Sequence, residues 1–596
     1  MGRVTAWAMV AGFALAAAAG QASEIAGTVS DDRGPVVGAM VTFQSGDPIH
    51  AITVYSDERG AFRTPPLSAS QVDVRVRRIG WKDLRRAEVA VAGAPLVLTL
   101  EREEDPAALA EQLPAHRWLP LVTNQLQDET EREQFVRQCT YCHQQGNRAT
   151  RVPREDWQWE KVLNLMARMG GVLTPELRAK VPELFRRAYD PATAVTALVG
   201  GRELEDLAPP PVAEARRAVI EEWELGGRAS MQHDLAFHPD GRAYSVDMAQ
   251  DRLYRLDPAT GEMASFPIAD EGLGLGGVFG GEGQPLPSTA NARQGPHSLQ
   301  FAPDGDVWIT FALGNQIGRF DHATETWTTY PLDAGYYPHT LRFDAKGRVW
   351  FTLAISNHLG MFDPATERFE TIRLPAGSFV QDIALRLLPA MLWLAGQFGD
   401  DAGLGGESGD PDFLPVPYGI DVGPDGSIWF SQLNQHRIGR VDPETLDVEM
   451  VDTPFPAPRR LRFDSANGLW IPSFSTGKLA RFDVVTREFR EWVLPTAKEG
   501  VETPYSVHVN RRNDEVWVCG TNSDTLMRFD PKTERFVVYP LPTRVTYTRD
   551  IDFDAQGRVW TSNSNAPTWQ VEGGFPRVLR LDPRDPAPEV AGGSAP

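Results

Sequence analysis

From Glu24 to Leu100 apolar and polar residues alternate with period two, interrupted at Asp31-Asp32-Arg33-Gly34 and Asp57-Glu58-Arg59-Gly60. That spacing predicts short antiparallel strands joined by turns, packed as a small β-sandwich. An acidic stretch with Pro and Ala then reads as a linker over residues 102–127. Helical periodicity follows from Glu129 to Gln144, resumes at Trp157 to Met169 and returns after Thr174-Pro175-Glu176, where Thr174 is placed to N-cap with Pro175 in the first turn. After Ala208-Pro209-Pro210-Pro211 the text changes again, to Gly-Asp turns, aromatic strands and a self-similar unit of about forty residues, the length of a propeller blade.

Each unit places an aromatic in its second strand: Tyr244, Trp308, Trp350, Trp429, Trp470, Trp517 and Trp560. Each ends at an aspartate before an outer strand: Asp257, Asp321, Asp363, Asp442, Asp483, Asp530 and Asp582. Seven blades are therefore predicted. The last runs out of sequence before its outer strand, whereas Ile220 to Leu225 precedes the first blade as an orphan strand that would close the ring. The predicted fold is mainly β: a sandwich over 23–101, a small all-α domain over 128–205 and a seven-bladed β-propeller over 217–584. Residues 585–596 are expected to form a flexible tail. Two insertions, Ala269 to Arg293 and Gly377 to Leu414, are rich in Gly, Pro and acids, as lids or docking loops are.

The first 22 residues carry Arg3, an apolar run from Val4 to Ala19 and small Gly20 and Ala22, the pattern of a cleaved secretory signal. A periplasmic protein without a membrane span is expected, since the other apolar patch, Ile383 to Trp393, contains Arg386 and Pro389. A net charge of -21 without a basic tract argues against nucleic acid or an anionic lipid surface as partner. Only three cysteines occur. No disulfide framework is expected, and Cys519, in a strand, reads as a buried apolar filler.

The other two cysteines lie in Cys139-Thr140-Tyr141-Cys142-His143, a covalent haem-attachment motif: two thiols form thioethers to the vinyl groups and the following imidazole ligates the iron. One haem c is expected, with His143 as one axial ligand. Met166 and Met169 both follow on one helix face as candidates for the sixth position. The text "WEKVLNLMARMGG" resembles short single-haem cytochrome c domains, and that resemblance implies Met166, seven residues after Trp159, as the ligand. Similarly, "IAGTVSDDRGPVVGAMVTF" and "VDVRVRRIG" resemble the carboxypeptidase regulatory-like domain, which implies an accessory sandwich.

Blade text such as "GPHSLQFAPDGDVWITFALGNQIGRFD" and "VPYGIDVGPDGSIWFSQLNQHRIGRVD" resembles the virginiamycin B lyase family from Ala218 to Asp582. The resemblance implies a seven-bladed propeller, a histidine general base and magnesium held by glutamates. Eleven residues before each aromatic, or twelve in the sixth blade, stand His233, His297, His339, Tyr418, Arg459, Tyr505 and Arg549, a polar ring at one rim. The acids the family's mechanism would need are absent from the His297 and His339 blades, and only His233 keeps one, Asp247, at its strand end. The three histidines are alternatively candidates for a second, transition metal. His358, His436 and His508 read as packing residues.

Together these features predict a haem-dependent oxidoreductase. His233, His297 or His339 would do acid–base work, Arg459 and Arg549 would hold an anionic group, and Tyr418, Tyr505 and Asp247 would line the mouth. Its partners would be a small-molecule substrate and an electron-acceptor protein. A lyase with an accessory haem domain and a haem-containing binding module stay open beside it.

Overall fold

The structure is a computed structural model describing residues 23–279, 292–398 and 408–584. The expected signal, the expected tail, residues 280–291 of the first insertion and residues 399–407 of the second lie outside the described residues, while the second insertion begins as a helix, Phe379–Phe398.

Alternation in the first segment makes strands because every second side chain enters one core, where Val29, Val41, Phe43, Val54, Val74, Val76 and Leu98 are all buried. Two sheets result. One joins Ala26–Asp31 to Gly34–Pro35, to Ala61–Arg63 and, in parallel, to Leu96–Thr99. The other carries His50–Tyr55, Met40–Ser45, Gln71–Arg77 and Leu84–Ala90 in that order.

Residues 102–127, expected as a linker, are folded instead. Helices Pro106–Glu111, Ala115–Trp118 and Pro120–Thr123 bury Ala110, Trp118, Leu119 and Val122. The acidic, Ala-rich composition that suggested a linker serves these helices: Asp105 caps the first by accepting from Ala107 N at 3.0 Å. Gln112 then ties the stretch to the sandwich, accepting from Gly80 N and donating to the Trp81 carbonyl.

Three longer helices follow. Glu129–Cys139 is capped by Asp128, and Asp156–Arg168 by a capping box from Glu155. Pro175–Ala188 is capped by Thr174 through Leu177 N at 3.2 Å, with Pro175 at its start. Their apolar faces meet around Phe135, Val136, Trp159, Leu177, Val181 and Phe185, and Trp159 packs edge-on against Phe185 at 4.9 Å. The first helix stops at Cys139, so Tyr141 to His143 lie in a turn rather than in the continuous helix that periodicity suggested.

The remaining chain forms a β-propeller. Six sheets of four antiparallel strands follow in sequence order, from Gln232–Phe237 to Arg535–Pro540. The seventh takes Asp552–Phe553, Val559–Ser562 and Arg577–Asp582 from the end of the chain and Val219–Glu224 from before the first blade, pairing Leu579 with Glu222 and Leu581 with Ile220. The orphan strand thus closes the ring. Its other edge is also taken: His50–Tyr55 of the sandwich pairs with it, fusing blade and sandwich into one eight-stranded sheet.

Repeated side-chain bonds explain why this text makes blades. Asp344, Asp464 and Asp554 each accept from turn amides, and from the indole N–H six residues later, on Trp350, Trp470 and Trp560, with the indole bonds at 2.9 to 3.0 Å. Those indoles are fully buried, and each has its polar atom satisfied. The closing aspartates cap the next turn, as Asp321 does for Ala323 N and Thr324 N. Among the described residues no helix is long and apolar enough to cross a membrane.

Candidate functional site

The innermost strands of the first four blades are irregular where they reach the rim. Register slips between Gln232 and Leu235, Pro296 and Leu299, Pro338 and Leu341, and Pro417 and Ile420. Each bulge holds the ring position, and a bulge re-aims the side chain it carries. His233, His297, His339 and Tyr418 consequently stand in file, with ring centres 3.8, 3.9 and 4.1 Å apart.

In five blades the second residue after the aromatic fastens this ring to the next blade. Thr310 Oγ1 donates to the His339 carbonyl at 2.8 Å, Thr352 Oγ1 to Tyr418, Ser431 Oγ to Arg459 and Ser562 Oγ to His233. In the sixth blade Cys519 occupies that position, and its Sγ donates to the Arg549 carbonyl at 2.9 Å. Cys519 is therefore buried, as expected, but as the counterpart of a Ser or Thr rather than as apolar filler.

Tyr418 and Tyr505 share a hydroxyl–hydroxyl bond of 2.6 Å, and Arg549 donates to the Tyr505 hydroxyl at 3.1 Å. All seven ring residues are thus gathered. A cavity of about 530 Å³ opens above them, lined by His233, His297, His339, Tyr418 and Arg549. Arg459, Tyr505 and Asp247, expected at the mouth, are not on its wall. Arg459 is buried among Phe474, Tyr418 and Tyr505. Asp247 spends its carboxylate on Met231 N, Ala249 N and the Gln250 side chain, capping a turn. It does not face His233 as a catalytic acid would.

Sequence reasoning missed the layer below. One residue beyond three ring positions stand Asp234, Arg460 and Asp550. Arg460 crosses the axis to both Asp234 oxygens at 2.8 and 2.9 Å and to Asp550 at 2.8 Å. Asp550 also takes Ser506 Oγ at 2.9 Å and Arg462 at 3.3 Å. Burial opposes its ionisation, but Arg460 and Arg462 together hold Asp550 well below the usual carboxylate range. Burial pushes Asp234 up to about 6 against the pull of Arg460.

Asp234 sets the tautomer of its neighbour. His233 Nδ1 lies 2.9 Å from Asp234 Oδ1 and 3.1 Å from the His297 carbonyl, both acceptors, so the Nδ1 carries the proton and Nε2 is left as a base. Burial first, then the Arg549 and Arg460 charges, hold His233 well below the usual imidazole range. His297 and His339 are lowered in the same way. Three neutral imidazoles line the mouth.

As a metal centre the ring differs from expectation. His233, Asp234 and His297, rather than the three histidines, bring one ligand atom each within 4.8 Å of one another. The Asp234 carboxylate is already claimed by a guanidinium, whose charge opposes a cation at that spot.

Tyr141 and Cys142, within the Cys139–His143 segment, form the roof of the cavity. Tyr547 donates to the carbonyls of Thr140 and Tyr141 at 2.6 Å, Arg459 to that of Tyr141 at 3.0 Å and Arg549 to that of Cys142 at 3.3 Å. These propeller residues satisfy the carbonyls that a longer helix would have used, which is why the helix ends at Cys139. Gln144 is anchored to Thr521 and Asp524 of the sixth blade. The second insertion docks here as well, where Asp412 pairs with Arg137 at 2.6 Å and Gly409 N donates to the Leu173 carbonyl at 2.9 Å.

On the other side of that segment lies a second cavity, of about 280 Å³, lined by Cys139, Cys142, His143, Met166, Met169 and apolar Trp159, Leu163 and Phe185. Both thiols are free. His143 is buried, burial lowers its pKa, and its Nδ1 donates to the Gln144 carbonyl at 3.1 Å, which leaves Nε2 for a metal. This donor set, in an apolar pocket, fits a covalently attached haem. Met166 faces this cavity alone, whereas Met169 borders both. Gln138, Tyr141, Cys142, Met169 and Ala566 form the wall the two cavities share.

His358, His436 and His508 lie away from the mouth. His436 Nδ1 accepts from Ala457 N at 3.0 Å and His508 Nδ1 meets the Val509 carbonyl at 3.2 Å, as packing residues do.

No family model matches this sequence, and no curated protein does. Among solved structures, a streptogramin B lyase is 19% identical, with TM-score 0.46, over 61% of this chain and 97% of its own. Virginiamycin B lyase from Staphylococcus aureus is 17% identical, with TM-score 0.45, over 61% and 99%. The hydrazine synthase of Kuenenia stuttgartiensis is 9% identical, with TM-score 0.42, over 60% and 96%. What these proteins are similar to is the propeller portion, and none of them assigns a role to a residue here.

Proposed function

We propose that this chain is an exported, periplasmic c-type haem protein that oxidises a small molecule at the propeller mouth and passes the electrons on to an acceptor protein. One observation carries the reading: the Tyr141–Cys142 segment of the haem motif is the roof of the histidine-lined cavity and the wall of the Cys139–His143–Met166 cavity at once. Cys139, Cys142, His143 and Met166 would hold the haem, and Arg154, which donates only to main-chain carbonyls of Ala149, Thr150 and Val152, lines the same cavity and would offer charge to its carboxylates. When bound, haem supplies one-electron acceptance.

The chain's own part is binding and proton handling. His233 Nε2 accepts a substrate proton, Asp234 keeps the imidazole in the required tautomer, and Arg549 offers positive charge beside it. The lyase alternative gains nothing from Asp247, which is consumed in a turn.

Full-length protein from a host that matures c-type cytochromes should keep its haem through denaturation, and Cys139→Ser with Cys142→Ser should lose it. The oxidised protein, mixed anaerobically with a panel of oxidisable small molecules, should give a reduced haem spectrum with at least one. Product formation with unchanged haem would support a lyase instead, and binding without product would leave a binding module.

A further inference from the structure

The mouth cavity combines an apolar, aromatic wall with one strongly polar end. Met231, Met248, Phe279, Leu313, Phe413 and Tyr337 line it, and His233 and Arg549, from adjoining blades of the closed ring, line it too, close enough for the Arg549 charge to act on the imidazole. Of the buried arginines near the axis, Arg549 alone lines the cavity, and its surroundings differ from those of Arg460. Arg460 is balanced by Asp234 and Asp550. Arg549, 5% exposed, donates only to Ser564, the Tyr505 hydroxyl and the Cys142 carbonyl, and no ion pair involves it among the described residues. A buried cation facing a cavity without a counter-charge favours an anionic ligand atom there.

We propose, building on the oxidoreductase reading above, that this cavity binds a phenol-class molecule: an aromatic ring bearing one acidic hydroxyl, with the oxygen between His233 and Arg549 and the ring among the methionines and phenylalanines. The phenolic O–H donates to Nε2 of the neutral His233, which is placed to take that proton, and the Arg549 guanidinium donates to the same oxygen. Three arguments select this class over other small acids and alcohols. The sequence carries a single haem motif, so electrons leave one at a time, and a phenolate tolerates loss of one electron where an aliphatic alcohol does not. A carboxylic acid arrives already ionised and gives a base such as His233 nothing to accept. An aliphatic alcohol has no acidity for Arg549 to exploit and no ring to fill the aromatic wall.

The test is calorimetric titration of oxidised, haem-loaded full-length protein with 4-chlorophenol, 4-chloroanisole, cyclohexanol and benzoate. 4-Chlorophenol should bind on the order of tenfold more tightly than each of the others. In His233→Gln its advantage over 4-chloroanisole should vanish, while the wild-type series stands without that variant. Tightest binding by benzoate, equal binding by cyclohexanol, or no binding by 4-chlorophenol overturns the inference. The haem spectrum of the same samples keeps the two readings apart: a tightly bound phenol that never reduces haem contradicts the oxidoreductase and leaves the ligand class standing. Haem reduction by other compounds with no phenol bound does the opposite.

Discussion

His233 and Asp234 are neighbours in sequence, yet they belong to different layers of the propeller axis, one facing the cavity and the other locked to Arg460. The ring itself was legible because the repeat has a period: stepping back eleven residues from each aromatic, or twelve in the sixth blade, finds all seven residues. The layer below was not, although it lies one residue further along, because Arg460 meets Asp234 and Asp550 only after blades one, five and seven close around one axis. Cys519 was misread for a related reason, since its role depends on a carbonyl of the next blade. Removing one partner of a buried ion pair is expensive, so Asp234→Asn should cost about 3 kcal/mol in denaturant unfolding. His508, pushed by burial down to about 3, is neutral when folded and titrates normally when unfolded. The unfolded chain therefore binds the extra proton below the ordinary imidazole pKa of about 6.5, and folding stability falls as pH drops through that window. Relative to His508→Gln, the wild type should lose about 1.4 kcal/mol per pH unit between about pH 6 and pH 4, and a parallel pH profile for the two proteins would contradict it.

At the scale of elements, periodicity found strands and helices well and their ends poorly. The helix carrying the first haem cysteine was expected to run on to Gln144; it stops at Cys139 because Tyr547, Arg459 and Arg549, from the far end of the sequence, take the next carbonyls. The stretch before it looked like a linker because its packing partners lie outside it, chiefly in the later helices around Ala194, Leu198 and Val181, with hydrogen bonds to the sandwich and the sixth blade. By contrast, the closing strand Val219–Glu224 was readable, since a strand count one short at the end and one over at the start has a single remedy. Trp223 of this strand is 1% exposed and stacks between Trp560 at 5.4 Å and His50 at 5.1 Å, so it joins ring closure to the sandwich. Trp223→Ala should destabilise by about 3–5 kcal/mol, and the loss should appear as earlier thermal unfolding of the propeller and sandwich together. Separate transitions for the two would show that the shared sheet does not couple them.

The whole molecule stacks a helical segment on a propeller so that one loop, Tyr141 to Gln144, serves both. Nothing in the sequence announces that docking; it rests on hydrogen bonds spanning more than 300 positions, with Tyr547, Arg549 and Asp524 as the propeller's share. If those bonds hold the roof, Tyr547→Phe should lower amide hydrogen-exchange protection in Tyr141–Gln144 on the order of tenfold while leaving blade strands unchanged. Unchanged protection in the loop would place the docking elsewhere.

The most direct measurement of the central claim is the rate of anaerobic haem reduction by a bound substrate, compared between the wild type and His233→Gln, with dithionite reduction of both as the reference. The account predicts at least a hundredfold slower substrate-driven reduction in the variant, in the range removal of a general base costs, with dithionite reduction unaffected. Equal substrate-driven rates in the two proteins would contradict it, because electrons would then be reaching the haem without passing the histidine-lined mouth.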